Sequence, residues 1–423
     1  MQILTLFIQS LVALGFLARA VGKFRNIARV KGEFERLGRG KVRRWATGAA
    51  ELLGGLGMAA AMAQPFLAFF VSVFLGLLSA GSLLSRRVVG YRQGSLMLPL
   101  LLAGSLVVAV LQPLGLKVLL LPKPVDLPVE AVSVARVLKT YAEGLWLESV
   151  AVAPDGTVYL SGNQGEDYNT GDKSQARAQV IARHPDGTER VVFDLPRGAT
   201  AGVIAFDARG QMFMTGQGAR RGIWRFSADH KADFFATLPE GSWPNGLTVG
   251  PDSQLYVADS ALGTIWRVDP NTGVTHRAIQ SDSLRARPLI ALAPGANGLH
   301  FYGRDLYVTV SDSAQVLKFP LNADGTFGAP HVFAEGIPGD DFAIDSDGTL
   351  YITTHPFNTI VRVTQDGKRA IVATAAQGIL GATDAKFGTS ADDRDTLYVA
   401  TDGGAFSGDA KAKGTLVALR IKR

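Results

Sequence analysis

Leu255-Tyr256-Val257-Ala258-Asp259-Ser260, with Trp243-Pro244-Asn245-Gly246-Leu247 just ahead of it, decides how the rest of the chain is read. The pattern is a short apolar segment ending near a turn, then a strand of the Leu-Tyr-Val-Ala type. A further strand follows, here Gly263–Val268 (GTIWRV). Alternating apolar runs bounded by turn residues are strand signals. Related copies centre on Tyr159, Phe213, Tyr256, Tyr307, Tyr351 and Tyr398, spaced 54, 43, 51, 44 and 47 residues apart. That period is close to one four-stranded blade of a radial array. Six copies predict an all-β six-bladed β-propeller over residues 135–423.

Tight-turn signals support this division. Asp155-Gly156, Asp186-Gly187, Asn271-Thr272-Gly273, Asp347-Gly348 and Asp366-Gly367 fall between the alternating segments, where hairpins need residues tolerant of positive φ. ARVLKTYA at 135–142 reads as an outer strand without a blade of its own. GTLVALRI at 414–421 reads as a third strand without an outer partner. Pairing the two would close the ring and remove exposed strand edges.

The first part of the chain is of another kind. Residues 1–125 carry a net charge of +12 and residues 126–423 a net charge of −6. Apolar runs at 3–22, 46–64, 66–85 and 95–114 each have about the 20 residues that a helix needs to cross roughly 30 Å of hydrocarbon. They predict an all-α membrane four-helix bundle over residues 1–116, joined through a Pro-rich linker at 117–134 that acts as a semi-rigid tether. Nine Lys/Arg between 23 and 45, with Arg86, Arg87 and Arg92, stand against only Lys117 and Lys123 on the other side. The positive-inside bias places both termini and the propeller outside the cytoplasm. The lipid bilayer is therefore one expected partner. A nucleic-acid partner is excluded, because the Lys/Arg lie in loops between apolar runs rather than on one folded face. The sequence has no cysteine, so thiolate chemistry and Cys-ligated zinc are excluded as well. Glu51 falls within the second run, where it is either a functional group or a carboxylate reaching for the interface.

Aligning the blades on their aromatic positions places Glu148, Gly202, Asn245, Asn297, Asp340 and Thr383 at one repeat position, ten or eleven residues ahead in all but the last blade. Each begins an innermost strand, so the six converge at one mouth of the central channel. Two carboxylates and two amides, with no His or Cys, suit a hard divalent cation. Ca²⁺ leads, and Mg²⁺, Mn²⁺ or Zn²⁺ are the alternatives. A polar, hydrated axis in which Asn-Gly merely shapes turns is the plainer reading.

LESVAVAPDGTVYLSG, WPNGLTVGPDSQLYVADS, ANGLHFYGRDLYVTVSDSAQVLKF and DDFAIDSDGTLYITTH give residues 135–423 a resemblance to a known family. It is the six-bladed propeller family of gluconolactonase, senescence marker protein and luciferin-regenerating enzyme. The resemblance implies Glu148, Asn297 and Asp340 as metal ligands and Asn245 as a substrate-binding residue; as a metal-bound carboxylate, Asp340 is also the expected general base. Residues 1–116 resemble the DoxX-like family of small four-helix membrane proteins through LVALGFLARAVGKF and ATGAAELLGGLGMAA. Two departures stand out. Ser149-Val150 follow Glu148 where the family's hydrolases carry Gly-Pro, and Trp243 stands where some members place a sugar-binding Arg. With Phe342 and His355 nearby, Trp243 points to an apolar or aromatic small-molecule substrate, or else to strand-end packing.

The expectation is a membrane-anchored, metal-dependent hydrolase of a lactone or ester. The alternatives are a non-catalytic ligand-binding or sensor propeller coupled to the membrane domain, and a strictosidine-synthase-like activity that leans on an axial Glu without a catalytic metal.

Overall fold

A computed structural model covers the 423-residue chain and describes all residues except 1, 26, 63–64, 89–95, 113–123, 131–133, 166–172, 228–230, 287–292, 356, 408, 410 and 422–423. The chain forms two compact units, one of Met1–Leu120 and the other of Leu121–Asp167 with Gly171–Arg423.

The first unit is helical: α1 (Gln2–Phe24), α2 (Ala28–Arg36), α3 (Lys41–Ala60), α4 (Pro65–Val88) and α5 (Met97–Leu111). Val12, Phe16, Met58, Leu75 and Val108 form its core. Glycines let the helices approach closely: a Cβ at Gly55 would lie 3.2 Å from the Ala13 carbonyl, and one at Gly104 would lie 2.8 Å from Val12. Two of the four expected spans are long and apolar enough to cross a membrane, Thr5–Phe24 and Leu67–Val88. The other two differ. Helix α3 starts at Lys41 and carries Lys41, Arg43, Arg44 and Glu51. Helix α5 has 15 residues, roughly 22 Å at the helical rise and short of the bilayer core. The stretch 23–45 is not simply a loop, because α2 forms within it; its Arg, Lys and Glu residues are good helix formers, and Phe34 is buried.

Glu51 does not reach for an interface. It is 1% exposed. Its Oε1 accepts from Arg19 Nε and Nη2 at 3.0 and 2.9 Å, and its Oε2 accepts from Lys23 Nζ.

The second unit is the predicted propeller. Strand β1 (Val134–Thr140) comes first. Blade I follows with β2 (Trp146–Val152), β3 (Val158–Gln164), β4 (Arg177–Arg183) and β5 (Glu189–Asp194). Blade II holds β6 (Thr200–Phe206), β7 (Met212–Gln217), β8 (Gly222–Phe226) and β9 (Ala232–Thr237). Blade III holds β10 (Pro244–Val249), β11 (Leu255–Asp259), β12 (Thr264–Val268) and β13 (Thr275–Gln280). Blade IV holds β14 (Ala296–Tyr302), β15 (Asp305–Val310), β16 (Gln315–Pro320) and β17 (His331–Glu335). Blade V holds β18 (Phe342–Ile344), β19 (Leu350–Thr354), β20 (Thr359–Val363) and β21 (Arg369–Thr374). Blade VI is β22 (Ala382–Phe387), β23 (Thr396–Thr401) and β24 (Thr415–Arg420), completed by β1 on its outer edge. Val134 pairs with Arg420 and Thr140 with Thr415, so the two ends of the domain close the ring as expected.

The repeated aromatic recurs because it fills the seams between blades. Tyr256 packs with Leu299 and Val308 between blades III and IV, Tyr307 with Leu350 and Val361 between IV and V, and Phe213 with Leu247 and Val257 between II and III. The described part of the linker is no free tether. Val125 N donates to Gly336 O at 2.9 Å, Ile371 N to Pro128 O at 2.8 Å and Glu130 N to Ile371 O at 2.8 Å, so 124–130 lies along blade V. Positions 117–123 and 131–133 of the linker are outside the described residues.

Candidate functional site

The repeat position found by alignment is a β-bulge. Register breaks between Leu147 and Ser149, Ala201 and Ile204, Pro244 and Leu247, Ala296 and Leu299, and Ala382 and Asp384. In blade V the same place falls just before β18, where Asp340 N donates to Thr353 O at 2.7 Å and Thr353 N to Asp341 O at 3.0 Å. A bulge removes a residue from strict alternation and re-aims its side chain. Glu148, Gly202, Asn245, Asn297, Asp340 and Thr383 all occupy this position.

Three threonines tie the bulges to the next blade. Thr215 Oγ1 accepts from Val203 N at 2.9 Å and donates to Asn245 O at 2.6 Å. Thr309 links Gly298 N to Asp340 O, and Thr353 links Asp341 N to Thr383 O. The inner strands come so close that the Asn-Gly pairs are required: a Cβ on Gly246 would lie 2.3 Å from Asn297 O, and one on Gly298 would lie 2.6 Å from Asp341 Cα.

A second tier sits four residues beyond the aromatic positions, at Asn163, Gln217, Ser260, Ser311, His355 and Asp402. Ser260 Oγ donates to Ala296 O and Ser311 Oγ to Gly339 O, each at 2.6 Å. Each hydroxyl has given away its proton, so each must accept from the adjacent amide. Asn245 Nδ2 lies 3.3 Å from Ser260 Oγ, and Asn297 Nδ2 lies 2.9 Å from Ser311 Oγ. This network fixes which end of each amide is oxygen. Asn297 Nδ2 also donates to Asp340 Oδ1 at 2.7 Å, leaving Asn297 Oδ1 with no donor among the described residues.

Asp340 faces His355 on its other side. His355 Nδ1 lies 3.4 Å from Asp340 Oδ2, and its Nε2 lies 2.9 Å from Asp402 Oδ2. Asp402 also accepts from Gly404 N and Phe406 N. Burial opposes the imidazolium, but Asp402 and Asp340 outweigh it and raise His355 well above the ordinary histidine range. Burial pushes the Asp340 carboxyl up, with His355 and Asn297 opposing.

The structure brings Asn297, Asp340 and His355 together and places Glu148, half-buried, at the equivalent bulge of blade I. Thr383 is turned to backbone, donating to Leu147 O and Ala400 O at 3.1 Å. Trp243 is 42% exposed, and its backbone N–H donates to Asp259 Oδ1 at 3.0 Å. Phe342 is fully buried between blades IV and V and presents no surface to a ligand.

Sequence reasoning missed a charged cluster one to three residues beyond the bulges. Lys386 Nζ donates to Asp384 Oδ1 at 2.7 Å, lies 3.0 Å from His300 Nε2 and faces Asp341 Oδ1 at 3.7 Å. Ser149 Oγ donates to Asp384 Oδ2 at 2.7 Å and accepts from Ile204 N. The cluster therefore stitches together the inner strands of blades IV, V, VI, I and II. Burial pushes Asp384 up to about 7, with Lys386 opposing. Burial also acts to raise Asp341, but Lys386 and His300 outweigh it and hold it low. The Gly388–Asp395 insertion hid Asp384 and Lys386 by blurring the last repeat. The Ser149 departure is explained here: its hydroxyl is a structural donor to Asp384.

Among the described residues no cluster of three His, Cys, Asp or Glu side chains forms a metal cage. The ring offers two carboxylates, Glu148 and Asp340, with the amide oxygen of Asn297, a donor chemistry that fits a hard divalent cation.

Among solved structures the chain is similar to a gluconolactonase from Xanthomonas campestris, at 19% identity and a TM-score of 0.51, over 71% of this chain and 97% of that one. The likeness is one of fold. Other similar structures are a calcium-binding protein, regucalcin, from Agrobacterium tumefaciens (17% identity, TM-score 0.49, 70% and 97% covered) and a luciferin-regenerating enzyme (13%, 0.49, 68% and 94%). No family model and no curated protein matches the chain. The expected DoxX-like resemblance of residues 1–116 thus has no counterpart, and that unit is established as helices only.

Proposed function

We propose that the propeller is a divalent-cation-dependent hydrolase of a lactone or ester. The observation that carries this reading is the contact between Asn297 and Asp340, which leaves Asn297 Oδ1 without a donor beside a carboxylate whose affinity for a proton is raised by burial. Glu148, Asn297 and Asp340 would hold the cation. When bound, it supplies polarisation of a carbonyl and acidification of a water molecule. Asp340 accepts the proton as general base, while His355 and Asn297 fix its two oxygens. Asn245 orients the substrate, and the exposed indole of Trp243 offers it an apolar surface. The Xanthomonas protein of similar fold is a gluconolactonase, which is in keeping with a lactone as substrate. The test is elemental analysis of the purified full chain and of Glu148→Gln, with hydrolysis measured over a lactone and aryl-ester panel. One bound cation and turnover, both lost on substitution, support the reading; folded wild type without cation-dependent turnover refutes it.

A second reading has an observation of its own. Both oxygens of Asp340 already face partners, Asn297 and His355, as suits a binding propeller with no catalytic base. Ligand binding that survives Asp340→Asn without wild-type turnover would select it.

Membrane anchoring through the helical unit, with the propeller outside the cytoplasm, belongs to the same proposal. Its support is the pair of apolar helices, whose Phe7, Leu14, Leu77 and Leu84 are exposed, and the Lys/Arg bias of the connecting segments. The chain lacks cysteine, so single cysteines at Ser85 and Ser283 in intact cells would report sidedness; labelling of Ser85→Cys but not Ser283→Cys by an impermeant reagent would overturn it.

A further inference from the structure

Three of the seam tyrosines tie their hydroxyl to a neighbouring side chain. Tyr256 donates its hydroxyl to Asp252 at 3.0 Å, Tyr307 to Gln365 at 3.1 Å and Tyr398 to Asp393 at 3.1 Å. In blade I, Asp155 stands four residues before Tyr159, as Asp252 stands before Tyr256. Its carboxylate instead accepts from Thr157 N at 2.9 Å, and the Tyr159 hydroxyl has no hydrogen-bond partner among the described residues. The seam beside it is open. A cleft of about 640 Å³ runs between blades I and II, lined by Tyr159, Phe206 and Met212 and by Arg190, Arg209 and Arg225. That volume lies within the roughly 300–1,000 Å³ of small-molecule sites.

The cleft is built at the turn ends of the strands, whereas the Glu148–Asp340 ring lies at the start of the inner strands. The two open on opposite faces of the propeller and share no residue. Tyr159 and Phe206 meet edge to face at 5.3 Å and give the cleft an aromatic wall.

Charge narrows the ligand. Arg209 is held by Asp207, with Nε and Nη2 at 3.0 and 2.8 Å from Oδ2, and its Nη1 donates to Asn271 Oδ1 at 2.8 Å. Arg225 faces Asp233 at 3.2 Å and lies over the Phe235 ring. Arg190 is exposed and forms no ion pair among the described residues. Two of the lining guanidinium groups are thus paired in place, and Arg190 is the one left to meet an anion, with the Asp155 carboxylate also acting on Tyr159. A dianion would leave one charge unmatched, whereas a carboxylate matches the guanidinium fork.

We propose that this cleft is a second binding site, for a small aromatic monocarboxylate. The ring lies against Phe206 and Tyr159, the carboxylate takes Arg190, and the Tyr159 hydroxyl donates to it. This inference does not depend on the hydrolase reading.

The test is calorimetric titration of the full chain in a nonionic detergent with 2-naphthoate, using neutral 2-naphthamide as the control. Saturable one-to-one binding is expected. It should weaken about tenfold or more in Arg190→Gln, by a similar factor for the amide, and several-fold in Tyr159→Phe, as charge-assisted and neutral hydrogen bonds lost from a binding site do. Arg190 is at the surface, so its substitution leaves folding intact. Binding that Arg190→Gln leaves unchanged, or that Asp340→Asn abolishes, would put the acid elsewhere and overturn the proposal. Absence of saturable binding to folded wild type would overturn it equally.

Discussion

Thr215→Val tests whether the threonine links hold the ring of bulges in place. Valine keeps the branched shape and removes one hydroxyl from a side chain with no exposure. Val203 N loses an acceptor at 2.9 Å and Asn245 O loses a donor at 2.6 Å. Leaving a buried backbone group unpaired costs about 1–3 kcal/mol, so two such groups imply roughly 2–6 kcal/mol. For a ring of roughly 300 residues that lowers the apparent melting temperature by about 3–10 °C. The assay is tryptophan fluorescence during heating, with Thr326→Val as control, since the Thr326 hydroxyl serves only an exposed turn beside Asp324. The control should shift by less than about 1 °C. Because Asn245 O is the freed group, Thr215→Val should also weaken substrate binding more than turnover. A shift no larger than the control's would refute the idea that these hydroxyls secure the bulges.

Gly298→Ala should destabilise by about 1–3 kcal/mol through backbone displacement, because its Cβ would meet Asp341 Cα at 2.6 Å. Gly32→Ala, in helix α2 with nothing within 4 Å, should stabilise by about 0.5–1 kcal/mol; equal melting shifts would contradict the close-approach argument. Glu51→Ala leaves Arg19 and Lys23 facing one another in a buried site and should cost about 3–5 kcal/mol, seen as loss of helical signal on mild heating; full retention would show that the triad is not structural. His355→Asn keeps an amide donor toward Asp340 and His355→Gln keeps one toward Asp402, so cation affinity should survive better in the first, and the opposite order would exclude a role for His355 in orienting Asp340. The pH dependence follows from the raised His355 pKa: its stabilisation is fully present below about 6.5, the unfolded value, and is lost as pH rises through the folded value. The melting advantage of wild type over His355→Gln should therefore shrink on going from neutral to alkaline pH, and an advantage that grows would reverse the assignment.

The ring of six blades, its closure and its candidate positions were legible in the chain because each is a local pattern repeated. An aromatic after an apolar run, followed by a turn residue, marks a seam wherever it occurs, and Tyr256 behaves like Tyr307 because both fill the same gap. The pairing of β1 with β24 could be read from two orphan strands, since an unpaired strand has only one place to go. Hydrophobic length was a poorer guide in the helical unit. Composition alone cannot say where a helix starts, so α3 reaches back to Lys41 and α5 stops at 15 residues.

What the sequence by itself determined is the level at which Glu148, Asn245, Asn297 and Asp340 stand, since register counts residues and the bulges keep that count. Only the tertiary structure decided what each side chain meets there. Packing between blades turned Thr383 to the backbone, set His355 between Asp340 and Asp402, and brought Lys386 of blade VI to His300 of blade IV. These partners are 15 to 236 residues apart, so no short-range pattern encodes them. Their geometry comes from closure of the ring, which forces inner strands close enough for a hydroxyl, an amide or an ammonium to bridge one blade to the next.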